Sequence, residues 1–458
     1  MSEPTGSSPV AAVAKVAKAA ESASAGVSRA GLIGISVGVV AAGAAAGVAI
    51  ERLTVGRTMR RRARQELDAA APYGSLRGRP RTVPAPDGTE LYVELDGTGW
   101  PAPVQVHPED GRTGRGWFTR RRGDGQVDRT GLPGVLAGSG TLAGAAGRRS
   151  FGATHEPRPP LTVVFCHGYC LAQDSWHFQR AALREGMRLV FWDQRSHGRS
   201  ERSRSYLAGE NASIDQLGGD LKAVIDAVAP EGPIVLVGHS MGGMTVMALA
   251  DQHPELFRER VAAVALIGTL AGDWDSVTLG LPAAGAKLLR RLAPGVVRLL
   301  GRQVELVEAT RRLGADLTSV VYRRFSFGTK DVDPAVVRFS EQLLDATPID
   351  VVAEFYPAFS AHEKIAALAT LRGIPTLVLA GTKDLLTPPE HSEAIARELP
   401  EAELVLVQDA GHLVMLERPE LVCRRLAALL GQAVEHVGAA ALPQSVHDLA
   451  APDGSPEA

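Results

Sequence analysis

Ser240 stands between glycines in Gly238-His239-Ser240-Met241-Gly242, behind the β-rich run Pro233–Val237 and ahead of the helix-like stretch Met244–Ala250. A strand that turns sharply into a helix forces strained backbone angles on the serine at its tip and lifts the hydroxyl clear of the sheet edge. Gly238 and Gly242 fall where a Cβ would collide with neighbouring chain. Such a hydroxyl can attack a carbonyl if a base and an orienting acid reach it. Two later strand ends offer both. Asp384 leaves the run Thr376–Ala380 in Gly381-Thr382-Lys383-Asp384, and His412 follows Glu403–Gln408 in Asp409-Ala410-Gly411-His412. Asp273 and Asp275, behind Val261–Ile267, are competing acids; strand-Gly-x-x-Asp favours Asp384 as nearer the histidine loop.

Attack on a carbonyl also needs donors for the charge that develops on its oxygen. The backbone N–H of Met241 is one. The second is expected from Tyr169, in the loop His167-Gly168-Tyr169 behind the run Leu161–Cys166, with Gly168 permitting the turn. His167 is read as bonding its own loop rather than as a base, and His239 as support for the elbow.

These residues need a frame. From Leu161 onward, short apolar runs at Leu161–Cys166, Arg188–Trp192, Ile234–Val237, Val261–Ile267, Thr376–Ala380 and Glu403–Gln408 alternate with helical stretches such as Ile214–Val228 and Leu421–Leu430. Unbroken apolar strands separated by helices predict an α/β fold, its mostly parallel sheet covered on both faces. Leu270–Leu371 interrupts the alternation with helical pattern alone, the size of an inserted cap. The expected division is a disordered tail at 1–30, an apolar helix at 31–50, a basic linker at 51–82, a core at 83–270 and 371–436, a cap at 271–370, and a second disordered tail at 437–458. Within the core, Pro86-Asp87-Gly88 is a turn and Thr89–Leu95 a strand. The Gly/Arg/Pro-rich stretch 98–160 lacks apolar periodicity and is expected to be a disordered insertion.

With 458 residues, 45% hydrophobic and 22% charged, the chain can bury a large core. A net charge of −2 gives no reason to expect a nucleic-acid partner. Three cysteines, Cys166, Cys170 and Cys423, make no disulfide framework, and the spacing of Cys166, His167 and Cys170 lacks a second ligand pair for a metal; buried thiols are expected. Residues 31–50 carry no charge over twenty positions, about 30 Å of helix and enough to cross a hydrocarbon layer. Gly34/Gly38 and Gly43/Gly47 would let such a helix pack closely on another. Between Glu51 and Arg81 lie nine arginines and three acids. Positive charge stays on the cytoplasmic side, so the expectation is a single-pass anchor with the large C-terminal region in the cytoplasm. Competing readings are a soluble cytoplasmic chain and a signal peptide cut near Ala44-Ala45-Ala46; the arginine cluster opposes export.

Taken together, the His-Gly-Tyr loop, the turn Asp193-Gln194-Arg195-Ser196-His197-Gly198-Arg199-Ser200, the Gly-His-Ser-Met-Gly elbow, Gly381–Asp384 and Gly411-His412 resemble the α/β-hydrolase superfamily, in its cofactor-free serine branch with a helical cap. The resemblance covers roughly 83–97 and 160–435. Ser196 departs from the glycine usual in that turn, and the 98–160 insertion and the N-terminus are further departures. Family members with aspartate at the elbow open epoxides or carbon–halogen bonds, chemistry that Ser240 does not fit. The resemblance implies hydrolysis of a carboxylic ester or thioester, on a small-molecule or lipid-like substrate, with no cofactor or metal. Competing readings are an acyltransferase, a C–C bond hydrolase or a perhydrolase of haloperoxidase type on the same residues, and a ligand-binding protein with little turnover. Oligomeric state is not readable.

Overall fold

The structure, a computed structural model, describes residues 73–100, 159–282, 284–288, 291–293, 295 and 315–451. By its contacts the chain forms two units: a large one of Gly74–Val332 with Ser340–Ala458, and a small one whose described residues are Tyr73 and Asp333–Phe339. In the small unit the Tyr73 and Phe339 rings lie 5.6 Å apart.

The large unit is built on one eight-stranded sheet: β1 (Arg79–Pro84), β2 (Glu90–Gly97), β3 (Thr162–Cys166), β4 (Arg188–Trp192), β5 (Ile234–His239), β6 (Val261–Ile267), β7 (Thr376–Gly381) and β8 (Glu403–Val407). The spatial order is β1-β2-β4-β3-β5-β6-β7-β8. The pairs β1–β2 and β2–β4 are antiparallel, and all others are parallel. Every residue of β3, β5, β6 and β7 is buried, because both sheet faces are covered and neither side of the pleat can stay polar.

Seven helices matter to the frame: α1 (His177–Leu183), α2 (Ile214–Val228), α3 (Met241–Gln252), α4 (Pro254–Arg260), α5 (Ala315–Ser326), α6 (Ile349–Ser360) and α7 (Pro389–Glu398), followed by α8 (Pro419–Val437) and α9 (Gln444–Ala450) near the C-terminus. On one face Val164, Val190, Leu236 and Val378 pack with Leu221 of α2, Val246 of α3 and Ile395 of α7. On the other, Val163, Phe165, Val235 and Val237 meet Leu183 of α1 and Leu426 and Leu430 of α8. Each such side chain contributes about 1.5–3 kcal/mol by leaving water. Helix α2 shows why these segments are helical. Ser213 caps it by accepting from the Gln216 N–H at 3.1 Å, and Ile214, Leu217, Leu221, Val224 and Ile225 recur on one buried face.

The strand order reverses at β3, which pairs with both β4 and β5. Chain leaving β3 and β5 therefore departs in opposite directions and leaves a crevice at their carboxyl ends.

Several expectations are corrected. The linker drawn at 51–82 ends early, because Arg79–Arg81 begin β1. Four of the six β1 residues are exposed, so this edge strand carries no apolar signal, and its prolines are tolerated there. Thr98–Trp100, placed in a disordered insertion, are held against the start of β4. The Thr98 N–H donates to Met187 O at 2.9 Å, and the Arg188 guanidinium lies 4.5 Å over the Trp100 ring. Residues 101–158 lie outside the described residues. The tail expected from 437 is folded through 451. Helix α8 runs on to Val437, and Val446 of α9 is fully buried, close enough that a Cβ on Gly186 would come within 3.0 Å of it. Its apolar residues are mostly alanines, and Gly438 and Pro443 divide it into stretches too short to show an apolar period. The cap also ends before 370, since Leu368 and Leu371 pack in the sheet's core. The apolar run 31–50 lies outside the described residues; among them, no helix is long and apolar enough to cross a membrane.

Candidate active site

Strand β5 delivers Ser240 at φ 52° and ψ −119°, a conformation in the region unfavourable to side chains, directly before α3. Close packing holds it there. A Cβ on Gly238 would lie 2.5 Å from Gly242 O, and one on Gly242 would strike the Cys166 carbonyl. The Ser240 N–H donates to Ile267 O at 2.9 Å, and its own carbonyl accepts from the Thr269 hydroxyl at 2.8 Å. Both glycines thus serve as expected, and the strain falls on the serine alone.

Strands β7 and β8 bring Asp384 and His412 together. Asp384 Oδ2 and His412 Nδ1 are 2.8 Å apart. The other carboxylate oxygen accepts the Leu386 and Thr387 N–H groups at 2.8 and 2.9 Å, and the Thr387 hydroxyl donates to Oδ2 at 2.8 Å. Burial raises the Asp384 pKa, but His412 and these donors more than offset it and hold the carboxyl below its ordinary value. An ionised Asp384 places the His412 proton on Nδ1 and turns Nε2 outward as a base. Asp273 and Asp275 are exposed, and the Asp273 N–H is taken up by Glu363 at 2.9 Å. Of the three candidate acids, Asp384 is the one found in contact with His412.

The loop around His412 is tied on three sides. Its carbonyl accepts from His239 Nε2 at 2.9 Å, Glu417 accepts the Gly411 N–H at 2.7 Å, and the Leu413 N–H donates to Ser326 O, at the end of α5, at 2.8 Å. His239 supports both elbow and histidine loop, and burial drops its pKa to about 3, so it stays neutral.

In the loop after β3, His167 Nδ1–H donates to Gly168 O at 2.7 Å while Nε2 accepts the Gln194 N–H at 2.9 Å. Both ring nitrogens are used within the frame and burial lowers the pKa to about 3, so His167 is a strut, as expected. Gly168 is required for space rather than for an unusual turn: a Cβ there would lie 2.7 Å from His239 Nδ1 and 3.2 Å from the Ser240 Cβ. The positive φ falls instead on Cys170, at 58°. Cys166 and Cys423 are buried thiols, both pushed up to about 12 by burial; Cys170, expected to be buried, is only partly so. Tyr169 follows Gly168, and Met241 opens α3, where the first amides lack partners inside the helix.

Ser240, His412 and Tyr169 all line one cavity of about 220 Å³ under the cap. Tyr169 is fastened to cap helix α6: its hydroxyl donates to Val352 O at 2.6 Å, and its ring meets Phe359 edge-on at 5.0 Å. Beside it, Ser196 takes φ 64°, which glycine adopts without strain. Its hydroxyl donates to Glu354 of α6 at 2.8 Å and accepts the Ser203 N–H at 2.9 Å, and Arg202 pairs with the same carboxylate at 3.0 Å. Burial raises the Glu354 pKa, while Ser196 and Arg202 pull against it. The unusual serine fastens the core turn to the cap. Glu354→Ala removes the acceptor of the Ser196 hydroxyl and one of the two carboxylates paired with Arg202, and is expected to cost about 2 kcal/mol, below the usual figure for a fully buried pair because Arg202 is partly solvated and keeps Asp350 at 2.5 Å. A urea midpoint unchanged from wild type would contradict this.

Sequence reasoning missed Thr387, Glu417 and Glu354. An acceptor aspartate followed three residues later by threonine is a local turn signal that could have revealed Thr387. Glu417 joins nearby Gly411 to distant Gly328, and Glu354 reaches distant Ser196; no spacing encodes those long-range contacts.

Residues 162–419, more than half of the chain, match the family model for the alpha/beta hydrolase fold. An sn-1-specific diacylglycerol lipase of Mus musculus is 28% identical over 266 residues, covering 56% of this chain and 77% of that protein. 3-Oxoadipate enol-lactonase 1 of Acinetobacter baylyi is 27% identical over 270 residues, 58% of this chain and 86% of the relative. A thermophilic esterase from Thermogutta terrifontis superposes with a TM-score of 0.51 at 22% identity, over 77% of this chain and 98% of the esterase, a likeness of fold. Sheet order, elbow and sequence match agree: this chain is a hydrolase that belongs to the α/β-hydrolase family.

Proposed function

We propose that the protein hydrolyses a carboxylic ester or thioester through an acyl-enzyme on Ser240. The observation that carries this reading is the Asp384–His412 contact at 2.8 Å, in a pair whose histidine lines the same cavity as the strained elbow serine. His412 Nε2 takes the Ser240 proton as Oγ attacks the carbonyl carbon. The Tyr169 and Met241 N–H groups hold the oxyanion. The proton then passes to the leaving alcohol or thiol, and the acyl–serine bond is cut by water that His412 activates. No step needs a cofactor. The lipase and lactonase among the relatives, both named for ester substrates, support the reaction class. Incubation with a fluorophosphonate and with a panel of chromogenic esters tests it: labelling at Ser240 together with ester turnover is expected. Labelling without turnover of any ester would favour a binding protein, and ester formation with an added alcohol would favour an acyltransferase.

The same proposal extends to location. The charge-free run 31–50 and the arginines that follow support a single span with the hydrolase on the cytoplasmic side. The full-length chain is expected to stay with membranes through carbonate and high-salt washes. Release by salt would mean attachment through the arginines, whose attraction is screened by ions. A mature form starting after Ala46 would mean a cleaved signal.

A further inference from the structure

The cavity over Ser240 has a chemistry of its own. Among the described residues, its lining contains no Lys, Arg, Asp or Glu, and apart from His412 and the Trp274 indole its polar side chains are hydroxyls. Met244, one turn beyond Ser240 on the same face of α3, forms part of the wall and is 1% exposed. Trp274 stacks on Phe359 with centroids 5.1 Å apart at 29°, closing another side. Val277, Ala286 and Leu413 also face the space. A cavity of this kind attracts apolar groups and leaves a charged one without a partner.

We infer that this cavity is an acyl-chain site that takes a neutral, apolar acyl group of roughly eight carbons. Its size follows from comparison: an apolar cavity of about 150 Å³ holds benzene, six carbons, so about 220 Å³ holds roughly eight or nine. The inference rests on the hydrolase reading in placing the acyl side there. The acyl group stays attached to Ser240 through both steps, whereas the alcohol departs after the first, so a walled cavity beside the nucleophile serves the part that must be held. An acyl chain ending in a carboxylate meets no cation in this lining and is rejected, which separates this site from one built for diacid monoesters.

The test uses the full-length protein and p-nitrophenyl esters with acyl chains of two to sixteen carbons, together with an eight-carbon ester ending in a carboxylate. Expected is a rise in kcat/KM of roughly three- to fourfold per added methylene up to about eight carbons, then a fall. The carboxylate-ended ester should be roughly 10²-fold worse than its neutral counterpart. Ala286→Leu should move the optimum two or three carbons shorter, and Trp274→Ala should move it longer. A flat profile, a preference for acetyl, preference for the carboxylate-ended ester, or dependence on the length of the alcohol alone would overturn the acyl site and leave the hydrolase reading standing. Titration with 2-alkanones of rising length needs no turnover. If no ester is cleaved while these ketones bind more tightly as they lengthen, the cavity assignment stands and the hydrolase reading falls; if they neither bind nor react, both fall.

Discussion

Replacing Ser240 by alanine is expected to lower kcat by about 10⁴-fold or more while the fold survives. The serine supplies the bond-forming oxygen, and the neighbouring Thr387 and Thr269 hydroxyls are committed to Asp384 and to the Ser240 carbonyl. A 10⁴-fold loss corresponds to about 5.5 kcal/mol of transition-state stabilisation. The fold should persist because alanine keeps the Cβ that this strained position already accommodates. Far-ultraviolet circular dichroism should match wild type, and fluorophosphonate labelling should vanish. Wild-type esterase turnover in this variant would sink the mechanism.

Asp384→Asn should be nearly as damaging, about 10⁴-fold in kcat, by two routes. The amide loses the charge that stabilises the imidazolium formed when His412 takes the serine proton. It can also present N–H toward Nδ1 and so favour the tautomer with the proton on Nε2, which no longer acts as a base. Substrate binding should change little, because the Asp384 carboxylate is spent on His412, Thr387 and Leu386. The loss should therefore fall on kcat rather than KM. Asp273→Asn serves as the control: exposed and bonded through its N–H to Glu363, Asp273 should be replaceable at no kinetic cost. A larger loss from Asp273→Asn than from Asp384→Asn would overturn the assignment of the acid.

Much of this arrangement was legible in the residues because it is local. Apolar runs with short helical interludes announce a covered parallel sheet, since a strand buried on both faces has no polar side to alternate with. The elbow is five consecutive residues whose glycines answer steric conflicts within that turn and with the adjoining strand. Less legible were segments held by few apolar contacts. Edge strand β1 leaves four of its six residues exposed, and α9 is a short helix that buries only Val446 behind a stretch broken by Gly438 and Pro443, so neither shows a clear apolar period.

The chain's order of residues by itself determined the fold class and singled out Ser240 and His412 as candidates, because strand ends and turns are encoded within a few positions of the groups they carry. It left the choice among Asp384, Asp273 and Asp275 to spacing alone, and tertiary structure decided it through a 2.8 Å contact between loops 28 residues apart. Only the folded chain could show that Ser196 fastens the cap through Glu354, that Glu417 clamps the histidine loop, and that residues from Tyr169 to Leu413 line one cavity with no Lys, Arg, Asp or Glu among the described residues. Apart from the Glu417–Gly411 bond, which spans six residues, those features are contacts between segments far apart in sequence. Their distances depend on how helices and strands pack, which no local pattern specifies.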